Sequence, residues 1–156
     1  HFQTVWVAEY GRTYSEKKLA ETGGYDWDSA EFAHIAWEQC RIEDEAARHA
    51  NRLLVCDTDA FATAIWHRRY MGAPSSKVES IAAPRRYALY LLTDVDIPFV
   101  QDGLRDGESI REWMHGVFKE ELQAGGKAYA VLSGTHDERL EKAVGLINPL
   151  LDTRQA

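Results

Sequence analysis

No apolar run in the 156 residues continues for more than a few positions before a charge interrupts it, so nothing is long enough to span a bilayer. No block of lysine or arginine is present. With a net charge of −7 the chain repels a phosphate backbone, which argues against nucleic acid as a partner. Only two cysteines occur, Cys40 and Cys56, with neither a CxxC spacing nor a Cys/His cluster. A structural metal is therefore not indicated, and the pattern suits buried thiols in a reducing cytosol. Internal repeats and low-complexity linkers are missing too, and the length bounds one core, so a single domain over 1–156 is expected. One further absence is chemical. No GxxxxGK[ST] occurs, and no other glycine-rich turn follows a strand and opens a helix in the way a phosphate-cradling loop requires.

What is present reads as alternating strand and helix. Residues 4–8, 52–56, 87–92 and 128–132 are short runs rich in β-branched or aromatic side chains. A helix is expected over 30–50, with Phe32, Ile35, Ala36, Ile42, Ala46 and Ala50 on one face and Asp28 or Ser29 as its cap. Thr58 or Asp59 caps a second helix that runs through Phe61, Ile65 and Trp66 towards Gly72. Pro84 punctuates before the third strand, and Gly125 and Gly126 stop a helix that begins near Glu108. Leu140, Val144, Ile147 and Leu151 mark an amphipathic last helix. Strands that are nearly all apolar and separated by helices imply a parallel sheet covered on both faces, in an α/β fold. Ligands of such folds lie beyond the carboxyl ends of the strands.

Those ends carry the chemistry. After the first strand come Glu9, Tyr10, Gly11 and Arg12; after the second, Asp57, Thr58 and Asp59. The third leads through Asp94 and Asp96 to Asp102, Gly103, Leu104 and Arg105; the fourth ends in Ser133, Gly134 and Thr135, followed by Asp137, Glu138 and Arg139. Carboxylates can hold Mg²⁺ or accept a hydroxyl proton, and arginines can stabilise a transferring phosphoryl group. A lone acid after a strand is as readily a helix cap, and that reading stays open for Asp57 and Asp59. Gln39 and Glu43 interrupt the apolar stripe of the long helix. Either they sit at a boundary and reach water, or they make a polar contact with the strand-end site.

The runs EYGR, DTDAFAT and DGLR, in this order and at this spacing, resemble the successive signatures of the NadR-type nicotinamide riboside kinase domain, a P-loop kinase, over essentially the whole chain. The resemblance implies a three-layer parallel sheet with helices on both faces, whose central first strand and P-loop are not among these residues. His1 and Phe2 would then end the helix that follows the P-loop, and the second and third strands here should not pair directly. It implies ATP and Mg²⁺ as cofactors and transfer of the γ-phosphate to the 5′-hydroxyl of nicotinamide riboside, giving nicotinamide mononucleotide.

Carried over by position, Glu9 is the general base, Arg12 orients substrate, and Asp57 is a Walker-B-like acid for Mg²⁺. Asp59 shares that task or binds ribose hydroxyls, and Asp102 stands in the substrate-binding DGLR run. Arg105 resembles a lid arginine, Arg111 is a second lid candidate on the nucleotide side, and Ser133, Gly134 and Thr135 border the adenine. The pyridinium of the substrate favours an aromatic face, for which Tyr10, Trp27, Trp66 and Tyr70 are candidates; Ala8 stands where some relatives carry an aromatic. An upstream nucleotidyltransferase domain and an oligomer are compatible with the family.

Two other readings compete. Asp57, Thr58 and Asp59 imitate the DxD of haloacid dehalogenase-type phosphatases, with Asp57 as nucleophile and Asp59 as acid, although the hydroxyl that usually follows is shifted to Thr63. A degenerate kinase domain that only binds a nucleotide or a protein is the third. As written, the polypeptide holds half of a kinase site.

Overall fold

The computed structural model describes residues 1–103 and 108–152. It is built of short parallel strands and helices in two compact units, residues 1–85 and 86–156.

The first unit runs β1 (Trp6–Val7), α1 (Tyr10–Thr22), α2 (Ser29–Ala47), β2 (Val55–Cys56), α3 (Ala60–Met71) and α4 (Ser76–Ala82). β1 and β2 pair in parallel, Trp6 with Val55 and Val7 with Cys56. Both strands are shorter than the runs that announce them, for local reasons. The Thr4 hydroxyl donates to the Leu53 carbonyl at 2.6 Å and accepts the Asn51 N–H at 2.9 Å, taking the place of ladder bonds. Arg52 has φ +68°, which bends the chain out of extended conformation just before β2. Residues 1–5 carry no regular structure.

α2 starts where its sequence says it should. Asp28 accepts the N–H groups of Ala30 and Glu31 at 2.7 and 2.9 Å, and the Glu31 carboxylate accepts the Asp28 N–H at 2.9 Å, a reciprocal capping box. The helix stops at Ala47, three residues short of the expected end. Phe32, Ala33 and Ala36 pack with Ala60 of α3 and Val78 of α4 to form the core of this unit.

The second unit runs β3 (Tyr90–Thr93), a 3₁₀ turn at Glu108–Ile110, α5 (Arg111–Ala124), β4 (Tyr129–Leu132) and α6 (His136–Asp152). β3 and β4 pair in parallel from Tyr90 with Tyr129 to Thr93 with Leu132. The second and third strands of the chain thus belong to different sheets. On α6, Val144, Ile147 and Leu151 of the expected apolar face are half-buried, while Leu140 is 46% exposed and Arg139 is buried. Cys40 and Cys56 are half-buried rather than buried, and both are free thiols. Among the described residues, no helix is long and apolar enough to cross a membrane.

Candidate functional site

Parallel pairing of β1 with β2 puts their carboxyl ends side by side. The ladder closes with the Asp57 N–H donating to the Val7 carbonyl at 2.8 Å, so Asp57 leaves β2 beside the point where Ala8 and Glu9 leave β1. Glu9 is half-buried, and its carboxyl is pushed above the ordinary range by burial first and by the charge of Asp57 second, with Arg12 opposing. Glu9, Asp57 and Arg12 therefore share one electrostatic neighbourhood, as the sequence order suggested.

Glu9 is the N-cap residue of α1, yet its side chain makes no capping hydrogen bond. The first N–H of α1, on Tyr10, is instead accepted at 2.9 Å by Oε1 of Gln39, a residue of α2. Gln39 and Glu43 are each 1% exposed. The Gln39 amide donates to Glu43 Oε1 at 3.0 Å, and Arg85 donates to Glu43 Oε2 at 3.1 Å and to Asp44 at 2.7 Å. Of the two accounts of Gln39 and Glu43, the polar contact with the strand end is the one that occurs.

Asp57 is exposed, while Asp59, two residues on, is 4% exposed. Asp59 caps α3: its Oδ1 accepts the Ala62 N–H at 2.8 Å. Between them Thr58 has φ +61°, which turns the chain so that the two acids part. The capping use of Asp59 weakens the phosphatase reading, which needs that carboxyl as a proton donor. Asp57 suits Mg²⁺, which takes one or two carboxylates and draws its other ligands from water and substrate phosphates. No cluster of three or more metal-binding side chains exists among the described residues.

The aromatic candidates separate. Tyr10 sits beside Glu9 and meets His34 through its hydroxyl at 3.2 Å. Trp27 and Trp66 pack against the core of the unit, with Tyr70, 36% exposed, stacked beside them. Trp27 contacts Phe32 at 5.3 Å and Tyr70 at 6.0 Å between ring centroids, and Trp66 stacks on Tyr70 at 6.1 Å. Lys18 Nζ lies 4.9 Å from the Trp27 ring centroid, so a cation already occupies that ring.

In the second unit, the loop after β4 is built around Arg139. Its guanidinium donates to the carbonyls of Leu132 and Gly134 at 2.6 and 2.8 Å and pairs with Asp96. Asp96 also accepts the Gly134 N–H at 2.6 Å, and that bond, opposed by burial and aided by Arg139, holds its carboxyl below the usual range. Gly134 has φ +93°, and a Cβ there would lie 2.5 Å from Glu138 Oε2. That oxygen accepts from the N–H and hydroxyl of Thr135, at 2.7 and 2.8 Å, and caps α6 together with Thr135. Ser133, Gly134 and Thr135 thus form an exposed, braced turn. Neither Asp96 nor Arg139 was singled out for this bracing from the sequence, because their pairing spans 43 residues and leaves no local signal.

Arg111 opens α5, donates to the Ile97 carbonyl at 2.7 Å and lies 5.7 Å from the Phe99 ring. It lines a cleft of about 250 Å³ with Val95, Glu108, Ser109 and Glu112. Asp102 is exposed, on the segment where the Gly103 N–H donates to Gln101. Arg105 lies outside the described residues.

A family model for the AAA domain matches residues 1–139, a stretch that contains every strand-end residue described above. The chain is 27% identical over 155 residues to the trifunctional NAD biosynthesis/regulator protein NadR of Salmonella typhimurium, and equally to that of Escherichia coli. Those alignments cover 96% of this chain but 37% of the relatives, so the chain spans little more than a third of their length. With the match extending over most of its residues, the chain belongs to the AAA domain family, as a NadR-like P-loop domain.

Proposed function

We propose that this domain carries the acceptor side of an ATP-dependent kinase that phosphorylates the 5′-hydroxyl of nicotinamide riboside. The observation that carries the reading is the pairing of Glu9 and Asp57 at adjacent strand ends, with the Glu9 carboxylate spent on no cap. A half-buried carboxylate next to a second acid is a stronger proton acceptor than one in water. In the proposed step Glu9 takes the 5′-hydroxyl proton as the oxygen attacks the γ-phosphorus. The bond to the β–γ bridging oxygen breaks, and ADP leaves.

Asp57 is the carboxylate that would hold Mg²⁺. When bound, the ion neutralises charge on the phosphates. Arg12 and Tyr10 flank Glu9 and orient the nucleoside, with the Tyr10 ring as the aromatic face nearest the base. Asp102 completes the proposed substrate side; Asp59 caps α3 and Trp66 stacks on Tyr70, and neither is assigned to it. Ser133, Gly134 and Thr135 border the adenine, Arg111 stands on the nucleotide side, and Arg105 serves as the lid arginine. A three-layer sheet with a further central strand, an upstream nucleotidyltransferase domain and a cytoplasmic setting belong to the same proposal. The relationship to NadR, whose name includes NAD biosynthesis, supports the choice of nucleoside.

The test uses the polypeptide as its gene encodes it, because the activity also needs a phosphate-binding loop. ATP and nicotinamide riboside should give ADP and nicotinamide mononucleotide. Glu9→Gln should lower kcat by about 10²- to 10⁴-fold while leaving the unfolding midpoint near that of the parent. A near-normal kcat for Glu9→Gln removes the proposed base.

A further inference from the structure

α1 begins differently from the other three helices of its unit. The first N–H groups of a helix have no partner inside it and are ordinarily satisfied by the side chain of the N-cap residue. At α2, α3 and α4 the N-cap residues Asp28, Asp59 and Ser75 do this locally. At α1 the N-cap residue is Glu9, and it does not. The Tyr10 N–H is taken by Gln39, 29 residues away and 1% exposed, from the next helix.

The orientation of the Gln39 amide is determined by what lies behind it. Its two ends differ, one donating and one accepting. Glu43, facing Arg85, accepts the NH₂ end at 3.0 Å, which leaves the carbonyl end for Tyr10. Ile35, one turn earlier on the same face of α2, has its Cγ2 3.5 Å from where a Cβ on Gly11 would stand. The α2 face therefore runs alongside the first turn of α1 at Ile35 and holds that turn through Gln39.

An apolar side chain would fill this position in the stripe without the cost of burying an amide and a carboxylate. The arrangement gains a division of labour: the helix start is capped from outside, and the Glu9 carboxylate stays uncommitted. We infer that Gln39 is a positioning residue for Glu9, acting through the Tyr10 N–H, and that Glu43 and Arg85 hold its amide in register. The inference rests on the kinase reading, in which Glu9 takes the hydroxyl proton.

The experiment compares four enzymes encoded with the whole gene: the parent, Gln39→Met, Gln39→Asn and the Gln39→Glu/Glu43→Gln double variant. Gln39→Met keeps the length and loses the acceptor. Its kcat for nicotinamide riboside should fall about 10- to 100-fold, the loss expected from a base displaced by up to an ångström. KM for both substrates should stay within about threefold, the pattern of an interaction that matters only in the transition state. The Tyr10 amide should also exchange its hydrogen faster. If Gln39→Met does not fold, Gln39→Asn, one methylene short, should show the same split.

The double variant keeps an acceptor for Tyr10, a donor and acceptor between the two positions, and an acceptor for Arg85. It should return kcat to within about threefold of the parent, which loss of generic packing would not allow. An active parent with an unchanged kcat in folded Gln39→Met overturns the positioning role alone. So does a folded double variant that does not recover. A parent unable to phosphorylate the nucleoside overturns the kinase reading and the positioning role with it.

Discussion

Glu31 offers a test of how α1 is held to α2. Its carboxylate accepts from Lys18 Nζ at 2.6 and 2.7 Å, from the Tyr14 hydroxyl at 3.1 Å and from the Asp28 N–H at 2.9 Å. The Lys18 and Glu31 side chains are only 13% and 17% exposed. An exposed pair is worth about 0–1 kcal/mol and a charge-assisted bond away from water about 1.5–3 kcal/mol, so Glu31→Gln should cost about 2 kcal/mol. In a domain of this size that lowers the unfolding midpoint by about 4–8 °C.

Burial pushes the Glu31 carboxyl up, but the bonds from Lys18, Asp28 and Tyr14 outweigh it and bring it below its ordinary value of 4.5. A depressed carboxyl contributes stability above the unfolded value and loses it as pH falls through the folded one. The gap between parent and Glu31→Gln should therefore be full at pH 7 and shrink below about pH 4.5. Urea unfolding followed by circular dichroism at pH 7 and at pH 3.5 measures both. A Glu31→Gln protein within about 0.5 kcal/mol of the parent at pH 7, or a gap that acid leaves unchanged, refutes the assignment.

Two other outcomes test different parts of the fold. Gly134→Ala places a Cβ at φ +93° and against Glu138 Oε2; strain plus a disturbed α6 cap should cost about 2–3 kcal/mol, and an unchanged melting midpoint would show the turn to be slack. The Cys56 thiol is pushed up to about 12 by burial, with Glu43 and Asp59 adding and Arg85 opposing. At pH 8 its reaction with iodoacetamide should be roughly a thousandfold slower than that of a free cysteine, and alkylation at the free-thiol rate contradicts that environment.

Much of the local fold around the candidate site was legible because strand ends and caps are local. Asp28 before an apolar periodic run announces the start of α2, and Gly72 and Gly125 lie where α3 and α5 stop. Glu9 and Asp57 could be placed on one edge from strand order alone, since parallel strands bring like ends together. What escaped depends on partners distant in sequence. α1 buries no residue, so no apolar stripe marks it, and α4 is a seven-residue helix anchored by Val78, with Ile81 and Ala82 packed beside it. The runs at 4–8 and 52–56 have strand composition. Nothing in them tells that Thr4 would spend its hydroxyl on Leu53 and Asn51. The two jobs open to Asp59 were equal on paper, and only its burial against α3 identifies it as a cap.

Thr58 makes the run from Asp57 to Asp59 a loaded joint. A β-branched residue at φ +61° carries roughly 1–2 kcal/mol of backbone strain that glycine would not. Two fastenings hold it, the Asp57 N–H on the Val7 carbonyl upstream and the Asp59 cap on Ala62 downstream. Loosening either lets the joint relax towards extended backbone, where residues two apart point to the same side. The aim of Asp57 is thus set by tension between a strand and a helix, and because both fastenings run through backbone groups at Val7 and Ala62, a change that shifts β1 or α3 would swing the acid without touching it.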